Sequence, residues 1–143
     1  MEKPKLDSLS AAGLALYRVT LKRALRRYGV AEATDETTER LEEALLALPC
    51  PLQEVFAAAG KLFGQAVVCW TTGNNSGDNA TLAREERECR RLQAVGELLI
   101  RRFAPEVVLE WPGLYPSYHH PVFGEHISTP PLYLVRKLSE AQA

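Results

Sequence analysis

Three stretches of the chain hold side chains able to do chemistry. The first runs from Thr71 to Asn79 and gathers all three asparagines of the chain with two glycines, a serine and one of its three aspartates. Gly and Asn reach left-handed turn conformations, and small polar residues let several N–H groups point one way at a helix start. That geometry accepts anions. The run matches neither Gly-x-x-x-x-Gly-Lys-Ser/Thr nor Gly-x-Gly-x-x-Gly. Thr72, Gly73, Asn74, Asn75, Ser76, Gly77, Asp78 and Asn79 are therefore candidate ligand contacts acting through backbone amides, with Arg84 or Arg87 nearby. The structural alternative is a turn in which Asp78, Asn79 or Thr81 caps a helix beginning near Ala80.

The second stretch, Pro112 to Pro131, carries five of the nine prolines and all three histidines. Proline holds such a loop stiff, so Tyr115, Tyr118, His119, His120, Phe123 and His126 read as displayed groups. Glu125 is the one acid among the histidines, and the spacing matches no zinc signature. No metal and no cofactor is expected. A catalytic His beside Ser128 or Thr129 would need an orienting group and an oxyanion site that the spacing does not fix. An aromatic and histidine-rich contact surface is the simpler reading, with Tyr115, Tyr118, His119, His120 and Phe123 as partner-binding candidates.

The third stretch is basic. Arg18, Lys22, Arg23, Arg26 and Arg27 fall in a segment with no acid between Ser8 and Ala31, while Leu14, Tyr17, Leu21, Leu25 and Tyr28 recur at spacings of three and four. A basic amphipathic helix results, suited to an acidic protein patch, a nucleic acid backbone or an anionic surface. Residues 31 to 60 carry seven acids and one arginine, so internal pairing of neighbouring helices is the competing explanation.

These stretches need elements to position them. Helices are predicted from Ser8 or Ser10 to Tyr28, from Thr34 or Asp35 to Pro49, from Pro51 to Gly60 and from Ala80 to Phe103. The apolar run Ala66 to Trp70 reads as a buried strand, Val107 to Trp111 as a second, Leu132 to Leu138 as a last, with a brief strand near Val122. The expected fold is therefore α+β, mixed: N-terminal helices followed by a β-α-β-β unit with a small mixed sheet. One domain is expected, with residues 1–60 as a helical layer and 61–143 as the sheet unit. A parallel crossover over residues 65–111 would bring the 71–79 and 112–131 loops to one sheet edge. On the last long helix Glu86 with Arg90, Glu97 with Arg101 and Glu88 with Arg91 stand at pairing distance.

Composition excludes some classes. The chain has 143 residues, 46% hydrophobic and 24% charged, with a net charge of −1. No apolar run reaches the ~20 residues of a membrane helix, and no signal-peptide core follows the start, so a cytoplasmic setting and no membrane partner are expected. Cys50, Cys69 and Cys89 are odd in number and widely spaced, which suggests reduced core residues. Twelve arginines against five lysines, and fifteen glutamates against three aspartates, fit a GC-rich, thermophile-like bacterium or a phage living in one.

Atypical surfaces without a reactive triad point first to a small regulatory protein that binds another macromolecule, most readily a protein. A regulator of a larger enzyme such as the transcription machinery is one member of that class. A small-molecule or nucleotide-binding enzyme, using an anion site at residues 71–79 and a His between 119 and 126, is the alternative. Nucleic-acid binding through the basic helix 10–28 is a third reading, and the near-neutral total charge weighs against it.

Overall fold

The structure, a computed structural model, describes residues 6–29, 37–114, 116–120 and 124–127. Four α-helices dominate it: α1 (Ala11–Arg27), α2 (Thr38–Leu46), α3 (Pro51–Asn75) and α4 (Asn79–Phe103). A small sheet follows, of β1 (Val108–Glu110), β2 (Ser117–His120) and β3 (Gly124–Ile127). Its order is β1-β2-β3 and both pairings are antiparallel, with Leu109 opposite Tyr118 and Tyr118 opposite His126.

The described residues are mostly helical, and the expected α+β fold with its β-α-β-β unit and mixed sheet is not found among them. Gln65 to Asn75 continues the helix that begins at Pro51, so the run from Ala66 to Trp70 is helical. A short apolar run is equally compatible with a strand and a helix. Here the contacts decide: Ala66 is buried, Val67 and Cys69 are half-buried, and Val68 and Trp70 face solvent at 64% and 41% exposure. A central strand would have been covered on both faces. Gly60 was expected to end a helix, yet α3 passes through it and through Gly64. Each mid-helix glycine costs about 1 kcal/mol relative to Ala, which the packing of Leu52, Val55, Phe56, Ala59, Leu62 and Phe63 outweighs. The boundary expected at residue 60 thus falls inside α3, and no parallel crossover exists among the described residues to bring the two loops together.

In its place α3 and α4, 25 residues each, form a helical hairpin closed by Ser76, Gly77 and Asp78. Gly77 takes φ +69°, a left-handed conformation that a side chain disfavours. Close approach is set by two further glycines. A Cβ on Gly73 would lie 3.0 Å from Glu85 Cβ and 3.4 Å from Leu82 Cα, and one on Gly96 would lie 2.5 Å from a carbon of the Phe63 ring.

Local signals start the other helices. The Ser10 side chain accepts from Gly13 N at 3.1 Å and Thr37 accepts from Arg40 N at 3.3 Å. Pro51 opens α3, where its missing N–H costs nothing. The core joins Tyr17, Leu21 and Leu25 of α1, Leu41 and Leu45 of α2, the first half of α3 and the second half of α4. At its centre is a polar cluster. Glu42 accepts from Tyr17 Oη, from Arg102 Nε and from Arg102 Nη2, at 2.5 Å in each case.

Two edge-to-face ring pairs dock this part of the chain on the hairpin, Tyr118 of β2 on Phe56 at 5.9 Å and Trp111, just after β1, on Phe63 at 5.4 Å. Trp111 also donates its indole N–H to Glu97 at 3.0 Å. Glu97 was expected to pair with Arg101. Of the three pairs expected on α4, only Glu88 with Arg91 closes among the described residues, at 2.6 Å. The expected strand at Leu132–Leu138 lies outside the described residues, as does Val122.

Candidate functional site: a basic cleft between α1 and α3

Two stripes of side chains face each other across a cleft of about 590 Å³. Thr20, Arg23, Arg26 and Arg27 come from α1, and Ala58, Lys61, Leu62 and Gln65 from α3. Spacings of three, four and seven place each set along one side of its helix. The floor is apolar: Ala58 and Leu62 are almost fully buried, and the Thr20 hydroxyl is engaged by its own helix, donating to the Leu16 carbonyl at 2.7 Å. Among the described residues four cations form the rim, and no carboxylate lines the cleft. Among the described residues neither Arg23 nor Lys61 has an acidic partner. Arg27 is paired with Glu54 at 2.9 Å, and the same carboxylate accepts from Tyr28 Oη at 2.9 Å. That hydrogen bond pushes the Tyr28 phenol up. Glu54 thereby fixes the end of α1 against the start of α3.

The expected basic face of α1 is split by this arrangement. At about 100° per residue, Arg27 and Arg23 lie about 20° and 60° from Thr20 on the side away from the core stripe, and Arg26 about 120° in the same direction. Arg18 and Lys22 lie about 160° and 200° around the helix from Thr20, and neither lines the cleft. Arg18 is half-buried and already engaged in the fold. Lys61 was missed by sequence reasoning. Its signal, a lone cation three residues after Ala58 and four before Gln65 on one helix face, emerges only once Gly60 is read as mid-helix.

The 71–79 stretch forms the end of α3, the turn and the start of α4. Its polar side chains are largely occupied by the chain's own backbone. Asn74 donates to the Trp70 carbonyl at 2.8 Å, and Ser76 donates to the Gly73 carbonyl at 2.8 Å. Asp78 accepts from Thr81 Oγ1 at 2.6 Å, from Thr81 N at 3.1 Å and from Ala80 N at 3.4 Å. The Thr81 hydroxyl, then those two amides, hold the Asp78 carboxyl below its ordinary range. The amides that would cradle an outside anion thus already face an internal one. Gly73 is buried in the hairpin contact, while Thr72 and Asn75 line a shallow depression with Val67, Val68 and Thr71. Gly77 and Asn79 are exposed in the turn and at the start of α4.

In the histidine-rich stretch, Tyr118 is fully buried against Phe56, and burial pushes its phenol up. It is a core residue and not a displayed contact; the alternation of a strand laid on the helices turns it inward. His119 and His120 are in β2, and His126 is in β3. Tyr115 and Phe123 lie outside the described residues. Among the described residues no group of three His, Cys, Asp or Glu side chains could hold a metal, and no helix is long and apolar enough to cross a membrane. Comparison with protein-family models, with curated proteins and with solved structures finds no match to this chain.

Proposed function

We propose that the chain is a small regulatory protein that binds a protein partner, and that the basic cleft between α1 and α3 is the contact. One observation carries this reading: Arg23 and Lys61, neither with an acidic partner among the described residues, converge from two helices over an apolar floor. Like charges held together destabilise a fold unless something of opposite sign binds them. Cys50, Cys69 and Cys89 are free thiols, and a reducing compartment such as the cytoplasm suits them. Nucleic acid is the less favoured occupant. Among the described residues no aromatic side chain lines the cleft for base stacking, and an apolar floor does nothing for a phosphate backbone.

The test begins with a tagged pull-down from nuclease-treated lysate of the source organism, followed by measurements on the purified partner. Arg23→Glu/Lys61→Glu is expected to abolish binding, while Lys22→Ala, at a position that does not line the cleft, leaves it unchanged. Equal binding by all three proteins, each confirmed folded, would overturn the proposal. Capture that disappears with nuclease would point instead to nucleic acid.

A further inference from the structure

We infer that the cleft accepts an amphipathic helix carrying acidic residues along its flanks, supplied by the partner protein; this deepens the reading above and rests on it. The cleft pairs an apolar floor of Ala58, Leu62 and Thr20 with a cationic rim that includes Arg23 and Lys61. Such a surface matches a ligand with an apolar stripe bordered by anions, and it matches no purely polar one. At about 590 Å³ the cleft sits in the range of sites that take a sizeable apolar group, roughly 300–1,000 Å³, and far exceeds what an inorganic anion fills.

Shape selects the helix. From Thr20 to Arg27, and from Ala58 to Gln65, the lining runs about 10 Å, or two helical turns, along each wall. Both walls are helices whose backbone groups bond internally. An extended peptide laid between them would therefore find no ladder of backbone partners, whereas a helix brings its own backbone bonds satisfied. The ridges of a third helix can also pack into the groove between a helical pair.

Fluorescence anisotropy on the full chain tests this with a labelled peptide of Leu and Glu, about five turns long, its leucines spaced three and four apart. Four comparison probes are the same composition with the stripe permuted, polyglutamate, a single-stranded oligonucleotide and sodium decanoate. The striped peptide is expected to bind at least about tenfold more tightly than its permuted form. Arg23→Glu/Lys61→Glu should cost tenfold or more. Gln65→Trp, which fills an exposed end of the cleft without touching its charge, should do the same, with circular dichroism confirming an unchanged fold. Equal binding of striped peptide, permuted peptide and polyglutamate overturns the helix while leaving a charge-driven protein contact intact. Preference for the oligonucleotide overturns both readings. Displacement of the striped peptide by decanoate at comparable concentration assigns the cleft to a small amphiphile and overturns this one. Loss of a native partner on charge reversal, with no binding of the striped peptide, fails the inference alone.

Discussion

Arg102 of α4 grips Glu42 of α2 through two parallel hydrogen bonds, Nε to Oε2 and Nη2 to Oε1, each 2.5 Å, with both side chains under a tenth exposed. Tyr17 of α1 donates to the same carboxylate, so three helices meet at one acid. The Glu42 contact raises the Arg102 guanidinium, and burial pushes the Tyr17 phenol up. Burying such a pair costs much of its attraction, so its presence says more about which helices meet than about net stability.

Removing one partner from this cluster is expected to be severe. Arg102→Met leaves a carboxylate buried without its cation, a loss of about 3–5 kcal/mol, whereas Arg102→Met/Glu42→Leu recovers most of it. Tyr17→Phe, which removes a hydrogen bond to a charged group, should cost about 1.5–3 kcal/mol. Urea denaturation of the four proteins checks the ordering, and a double variant no better than the single would contradict it.

Gly96→Ala places a methyl 2.5 Å from the Phe63 ring. Helix propensity favours Ala, but that ring is itself held against Trp111 and cannot swing away freely. A net loss of about 1–3 kcal/mol is expected, and pairing the change with Phe63→Leu should restore part of it. Thermal unfolding that shows Gly96→Ala more stable would mean the hairpin opens more readily than its packing implies.

The pH dependence at the turn has a definite sign. The folded-state pKa of Asp78 is depressed, so its contribution is fully present above the unfolded value, about 3.9. It is lost as pH falls through the lower folded value. The Tm of Asp78→Asn should therefore lie below that of the parent at neutral pH, and the two curves should converge in acid. A gap that persists unchanged to the lowest pH would assign the cap to geometry rather than charge.

Crowding of cations in the cleft predicts a stability gain from losing one. Lys61→Met should raise Tm by roughly 1–2 °C at low ionic strength, and the gain should fade as salt screens the cluster. Scanning calorimetry at two salt concentrations decides it. A salt-independent change would trace to packing.

Much of the helical layout could be read directly. Ser10, Asp78 and Pro105 mark ends of α1 and α4, and the core positions Tyr17, Leu21, Leu25, Leu92, Val95 and Leu99 follow the period of a helix. The second half of α3 could not be read the same way. Val67, Val68 and Trp70 favour strands locally, two glycines interrupt the pattern, and only packing against α4, at Gly73 on Leu82 and Phe63 on Gly96, decides for helix. The candidate site was legible on one wall alone. Arg23, Arg26 and Arg27 stand out by composition, whereas Lys61 joins them through the continuity of α3.

The three-residue turn at Ser76, Gly77 and Asp78 also orders the events of folding. Contacts beside it, such as Gly73 with Leu82, close short loops and can zip rapidly from the tip. Arg102 sits at the opposite end, sixty positions from the Glu42 it must neutralise. The acid of α2 therefore has no buried seat until the hairpin has nearly finished closing. Expected is a nucleus within the hairpin, with Leu82→Ala slowing refolding and Tyr17→Phe chiefly hastening unfolding. Stopped-flow kinetics on the two variants would display that division, and the reverse pattern would place α1 and α2 first.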